Sequence, residues 1–237
     1  MLDTLATGPD TPVGAGGTAL SGGARHRRAA ARAAGRPRLS YPSGTLRGMD
    51  VSFTGSVFLG MSVDGFIARL DGDLSWLTGG GETGGGETGG APDDGDGGDF
   101  GFAEFLSGID ALVMGRATYE FIAPFADWPY RGKPVHVLST SLPAGADPRI
   151  TVHRSLDEAV TALDAAGYRR VYVDGGRTVH AFLAAGLVAD LTLSRIPVLI
   201  GTGLTPFGEL AADVPLEHVG TRSFAGGMVQ STYRVRR

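Results

Sequence analysis

The chain has 237 residues and a formal net charge of −4, enough length for one domain with a substantial core. It has no cysteine, which excludes disulfides and thiolate metal sites, and its five histidines show no paired ligand spacing. The charge is uneven: residues 1–48 carry seven Arg against two Asp, whereas residues 49–237 carry 14 Lys/Arg against 23 Asp/Glu. An acidic folded part argues against nucleic-acid binding, whose footprint is basic. No apolar run reaches membrane-spanning length, so no membrane contact and a cytoplasmic location are expected.

Residues 1–48 read as a disordered basic tail rich in Gly, Ala and Arg. Such a segment cannot bury enough apolar surface to offset its chain entropy. Its Arg25–Arg38 cluster suits a nucleic-acid arm, a membrane arm or a targeting peptide, but no apolar h-region follows it. Translation from Met49 is the plainer alternative. The expected domain spans 49–237. Ser56–Ser62 reads as a strand, with turn signals at Val63-Asp64-Gly65 and Asp71-Gly72-Asp73. Residues 79–98 repeat Gly-Gly-Gly-Glu-Thr and end in Asp, which predicts a flexible acidic insert. The spacing of those acids matches no calcium loop, so no metal is expected.

Phe100–Ser107 reads as a short amphipathic helix with Phe102, Phe105 and Leu106 on its apolar face. Ala111–Met114 is a predicted strand, and Gly115-Arg116-Ala117-Thr118 leads from it into a helix. Val135–Leu138 is a strand that ends at Ser139-Thr140. Ser155 and Glu158 form a capping box ahead of a helical repeat at Leu156, Ala159, Val160 and Leu163, with Gly167 after it. Arg170–Asp174 reads as a buried strand, Gly175-Gly176 as a sharp turn, and the following residues as a helix ending at Gly186. Free N–H groups at that helix start suit an anion. Leu191–Ile200 is the next strand, and Leu216–Phe224 with Met228–Val235 form a hairpin. Strands alternating with helices predict an α/β fold, a mostly parallel central sheet with an antiparallel C-terminal hairpin. Such sheets bind ligands at the carboxyl ends of their strands.

Five stretches in order resemble the dihydrofolate-reductase-like superfamily: Met61–Ala68, Val113–Tyr119, Val137–Thr140, Val173–Gly176 and Ile196–Gly203. The bacterial branch that includes the C-terminal reductase domain of the riboflavin-biosynthesis deaminase–reductase is the nearer likeness. It implies a dihydrofolate-reductase-like sheet over residues 51–237, and NADPH laid across the strand ends. By that resemblance Gly175, Gly176, Arg177 and Thr178 cradle a pyrophosphate, and Gly115, Arg116 and Thr118 serve a second phosphate region. Arg116, with Ser139 and Thr140, would hold an adenosine 2′-phosphate through a bidentate fork and hydroxyl donors.

The implied activity is hydride transfer to a pterin- or pyrimidine-like heterocycle, most similar to 5-amino-6-(5-phosphoribosylamino)uracil reductase. Asp64 and Asp99 are the candidate catalytic carboxylates, and Trp76 and Phe102 the candidate aromatic wall for the substrate. Each has a plainer alternative: an Asp-Gly turn, the end of an acidic loop, or core packing. Two features depart from the riboflavin pattern. No zinc-deaminase signature accompanies the domain, and Phe66 follows Asp-Gly where a basic residue is usual. Authentic dihydrofolate reduction and a non-catalytic NADPH-binding role are the alternatives. A homodimer is implied by the resemblance alone.

Overall fold

A computed structural model describes residues 51–78 and 99–236. The tail at 1–48 and the Gly-rich insert at 79–98 lie outside the described residues. Thr54–Ser62 (β1) is the central strand. Side chains alternate across a strand. Accordingly Val57, Leu59 and Met61 pack into one apolar cluster and Phe58 against another. Ser75–Thr78 (α1) is a single turn, and Phe102–Ser107 (α2) follows the insert. Ala111–Gly115 (β2), Arg116–Ile122 (α3), Val135–Leu138 (β3) and Ile150–His153 (β4) come next. Leu156–Ala165 (α4), Arg170–Asp174 (β5), Gly176–Ala184 (α5) and Val188–Ile196 (β6) complete the alternating part. Leu216–Ser223 (β7) and Val229–Val235 (β8) form the hairpin.

These strands build one sheet in the order β4-β3-β2-β5-β1-β6-β8-β7. All pairings from β4 to β6 are parallel, and β6 with β8 and β7 with β8 are antiparallel. The expected fold class is therefore the observed one. Helices α4 and α5 cover one face, burying Leu163 and Phe182 completely. Each such side chain contributes about 1.5–3 kcal/mol. The other face carries α2, α3 and an aromatic group that includes Phe58, Phe105, Tyr130 and Tyr172. The parallel strands all end on one edge, so Ser62, Gly115, Leu138, His153, Asp174 and Ile196 mark one rim.

Four boundaries differ from the sequence reading. Strand β6 runs 188–196 rather than 191–200, because Pro197 has no N–H to continue the ladder. Strand β4 is absent from the sequence reading, since Ile150–His153 is only four residues long, too short for its alternation to stand out. Helix α2 starts at Phe102, not Phe100: Phe100 (φ 53°) and Gly101 (φ 83°) are left-handed, and Phe100 packs edge-on to Phe224 instead, 5.0 Å between ring centres. The hairpin strands stop one residue short of Phe224 and start one after Met228. The predicted caps are present: Ser155 Oγ accepts the Glu158 N–H at 3.1 Å, and Gly167 and Gly186 have φ of 73° and 71°. The return bond of the capping box goes to the Arg154 N–H (2.7 Å) rather than to Ser155.

Candidate functional site

The β2–α3 and β5–α5 junctions lie side by side on the rim, because β2 and β5 are neighbours in the sheet. Gly175 has φ 82°, and a Cβ there would come within 2.5 Å of Thr118 Oγ1. A Cβ on Gly115 would lie 3.2 Å from Thr178 Oγ1. Each glycine thus faces the other junction's threonine hydroxyl. The backbone N–H groups that open α5 and two hydroxyls converge there, which suits a phosphate oxygen. Gly176 lies deeper: a Cβ on it would meet the Thr205 carbonyl at 2.7 Å and Ile67 Cδ1 at 2.9 Å. The segment 203–206 therefore crosses over the start of α5. Thr178 is buried and Arg177 exposed.

The β3 end is a formed turn. Ser139 Oγ accepts N–H bonds from Ser141 (3.2 Å) and Leu142 (2.9 Å), which leaves its O–H as a donor. Thr140 is exposed beside it. Arg116 is engaged elsewhere, paired with Glu120 one helical turn on at 2.9 Å. The pair is half exposed and weakly held. A different guanidinium reaches the β3 end. Arg154 donates to the carbonyls of Ser139 (2.8 Å) and Leu142 (2.6 Å).

The carboxylates sort by environment. Asp64 is exposed and accepts N–H bonds from Gly201 (2.7 Å) and Ile200 (3.3 Å), tying the 63–65 turn to the loop after β6. A hydrogen bond from Ser62, followed by these backbone donors, holds its pKa below the ordinary value. Asp99 accepts from Gly101 N–H (2.9 Å) and Ala103 N–H (2.8 Å), so both oxygens cap the start of α2. Asp174, which sequence reading left without a role, is different. Burial raises its pKa to about 6, only partly offset by the Gly175 N–H (2.7 Å) and the Tyr172 phenol. Part of the residue stays open to solvent at the rim, while the carboxyl itself is enclosed. Its signal was the period of two along β5: Tyr172 belongs to the aromatic face, so Asp174 shares that face.

Phe102 meets Phe58 edge-on at 5.3 Å and Tyr172 at 6.0 Å, beside Phe105. Trp76 is part of α1, and its indole N–H is buried without an acceptor. An open depression of about 200 Å³ is lined by Arg69, Leu70, Asp71 and Thr202, none of them a predicted site residue.

The family model for the RibD C-terminal domain matches residues 54–230, from β1 to the first residues of β8. The chain belongs to the RibD C-terminal domain family. It is 29% identical over 181 residues to YwjB of Bacillus subtilis (strain 168), itself uncharacterized, a match that covers 75% of this chain and 95% of that one. Among solved structures, a Shewanella sp. PV-4 protein provisionally assigned to riboflavin biosynthesis is 32% identical with a TM-score of 0.66. The match covers 78% of this chain and 100% of that one. Dihydrofolate reductase from Enterococcus faecalis, complexed with NADP(H), shares the fold at 19% identity and a TM-score of 0.55, over 79% and 99% of the two chains. This RibD C-terminal domain protein thus shares the dihydrofolate-reductase-like fold.

Proposed function

We propose that the protein is an NADPH-dependent reductase of a pterin- or pyrimidine-like heterocycle. The observation that carries this reading is the meeting of two Gly–Thr junctions at adjacent strand ends, a cradle that a Cβ at Gly175 would fill. Bound there, the dinucleotide supplies the hydride. Backbone N–H groups at the start of α5, with Thr118 and Thr178, hold the pyrophosphate, and Arg177 adds charge at its edge. The Ser139 O–H, Thr140 and Arg154 take the 2′-phosphate, with Arg116 able to join them by leaving Glu120.

The heterocycle sits toward the aromatic face, where Phe102 and the Trp76 N–H meet it. Asp174 keeps its proton up to about pH 6, well beyond an ordinary aspartate, and is the group suited to donate it to a substrate nitrogen. Asp64 acts by fixing the loop beside the reacting ring. The dihydrofolate reading rests on Asp99, whose two oxygens are both occupied by α2. The homodimer implied by the resemblance predicts a two-chain particle in sedimentation. The test is a titration with NADPH and NADH, followed by turnover across folates, aminopyrimidines and flavins. Tighter NADPH binding with oxidation by one heterocycle class supports the reading. Absence of NADPH binding sinks it, and binding without oxidation across the whole panel leaves a non-catalytic binder.

A further inference from the structure

His136 on β3 and His153 on β4 form a buried pair that the proposed chemistry does not use. Their rings stack at 5.1 Å and 15°, and His136 Nδ1 lies 2.8 Å from His153 Nε2. That distance requires one proton between the two nitrogens. His153 Nδ1 is buried without a hydrogen bond, and the Glu158 carboxylate on α4 is its nearest charge at 3.8 Å. A carboxylate there favours the tautomer with a proton on His153 Nδ1. The shared proton then belongs to His136, and His136 Nε2 is the position left to take another. Tyr168 packs edge-on against His136 at 6.0 Å. Glu158 and Tyr168 are thus the titratable groups that face the pair.

The pair is wired to the β3 end by short bonds. The Ser139 N–H donates to the His153 carbonyl at 2.9 Å. The next residue, Arg154, holds the Ser139 carbonyl, and its own N–H donates to Glu158. His153 and Glu158 therefore fix both sides of the turn whose hydroxyl is free to donate. We propose that the His136–His153 pair, braced by Glu158, positions the Ser139–Arg154 strand end for a phosphomonoester and takes up a proton when that anion binds. The inference rests on the cofactor reading above and adds a proton-linked control to it. Burial, and then His153, hold the His136 pKa down to about 4 in the free protein. An anion bound at that strand end, three residues along the chain from His136, favours the imidazolium and draws its pKa up. Linkage makes the effect reciprocal, so acid tightens phosphomonoester binding.

The test uses the full chain with NADP⁺ and NAD⁺ as probes, which differ by the 2′-phosphate. Imidazole resonances followed by NMR from pH 7.5 to pH 3 pass through the free-protein midpoint and report the titration directly. NADP⁺ should raise the titration midpoint of the pair and NAD⁺ should leave it in place. A rise of about one pH unit corresponds to roughly tenfold tighter NADP⁺ binding on acidification. Calorimetry in two buffers should show proton uptake with NADP⁺ that is lost in His136→Gln, while NAD⁺ affinity stays level. NADP⁺ binding with an unmoved imidazole titration overturns this proposal alone. Failure of both dinucleotides to bind overturns the cofactor reading and this one together. The wild-type titration decides the matter even if the Gln variant does not fold.

Discussion

The two ends of the candidate site bury opposite chemistry. At the β5 end an acid is held in surroundings that make it keep its proton, with the Asp174 pKa at about 6. At the β3–β4 end a base is held where it refuses one, with His136 at about 4. Desolvation is the first cause in both, and it penalises the charged form whichever sign it carries. Between these two values both groups are neutral. Above that window the β5 end gains negative charge, and below it the β3–β4 end gains positive charge. One rim can therefore offer a proton at one end and attract an anion at the other without the two groups forming an ion pair.

The largest effect should come from the junction the two ends share. In Gly175→Val the left-handed φ and the Thr118 contact act together. A loss of about 2–4 kcal/mol in urea unfolding and at least ~100-fold in NADPH affinity is expected. Gly132→Ala, with positive φ but open space around it, serves as the strain-only control. A Gly175→Val protein that binds within a few-fold of wild type would make the junction a turn and nothing more.

Asp174→Asn sharpens the acid end. Turnover should fall about 10²–10³-fold with NADPH affinity retained. The stability effect has the opposite sign. A raised folded pKa places the penalty above the unfolded value of 3.8, growing until about pH 6 and constant beyond. The variant should therefore gain up to about 3 kcal/mol at pH 8 and nothing at pH 3.5, measured as melting curves across pH.

His136→Gln probes the base end. A His whose folded pKa is depressed stabilises the fold fully above 6.5 and loses that contribution as pH falls toward 4. Wild type should lose on the order of 2–3 kcal/mol across that window, and the variant should lose less. A variant curve as steep as wild type would remove the pair from acid unfolding. The smallest effects should fall outside both ends. Arg116→Gln should change stability by no more than about 0.5 kcal/mol, since its partner is exposed. It should cut the NADPH preference by about tenfold if the guanidinium leaves Glu120 for the cofactor. Asp99→Ala should cost about 1 kcal/mol through the lost cap, with little change in turnover.

Much of the fold was legible because it follows local rules. The Ser155–Glu158 cap, the left-handed glycines after α4 and α5, and the alternation along β1 are short-range features. The two glycine junctions were legible as turns, but their mutual contact was not, since it depends on β2 and β5 being neighbours. Charge at a site was harder to read. Arg116 was nominated for its place in a motif, yet it pairs with Glu120, while Arg154 reaches Ser139 across 15 residues. The character of Asp174 depends on enclosure by an aromatic face assembled from four distant segments, which no window of sequence contains.

The C-terminal hairpin has a consequence for how the chain acquires this site. Gln230 donates to the carbonyl of Phe100, 130 residues earlier, and to Ser194 Oγ. The residues that launch α2, and with it Phe102 and Phe105, are thus anchored by β8, the last of the eight described strands. A nascent chain could assemble β2 through β6 while the aromatic face still lacked its final fastening. Contacts of such high sequence separation form late and slowly. Until β8 emerges, the start of α2 has its Asp99 cap but lacks the Gln230 bond, and in the cell that interval is when aggregation or proteolysis would compete with completion of the fold.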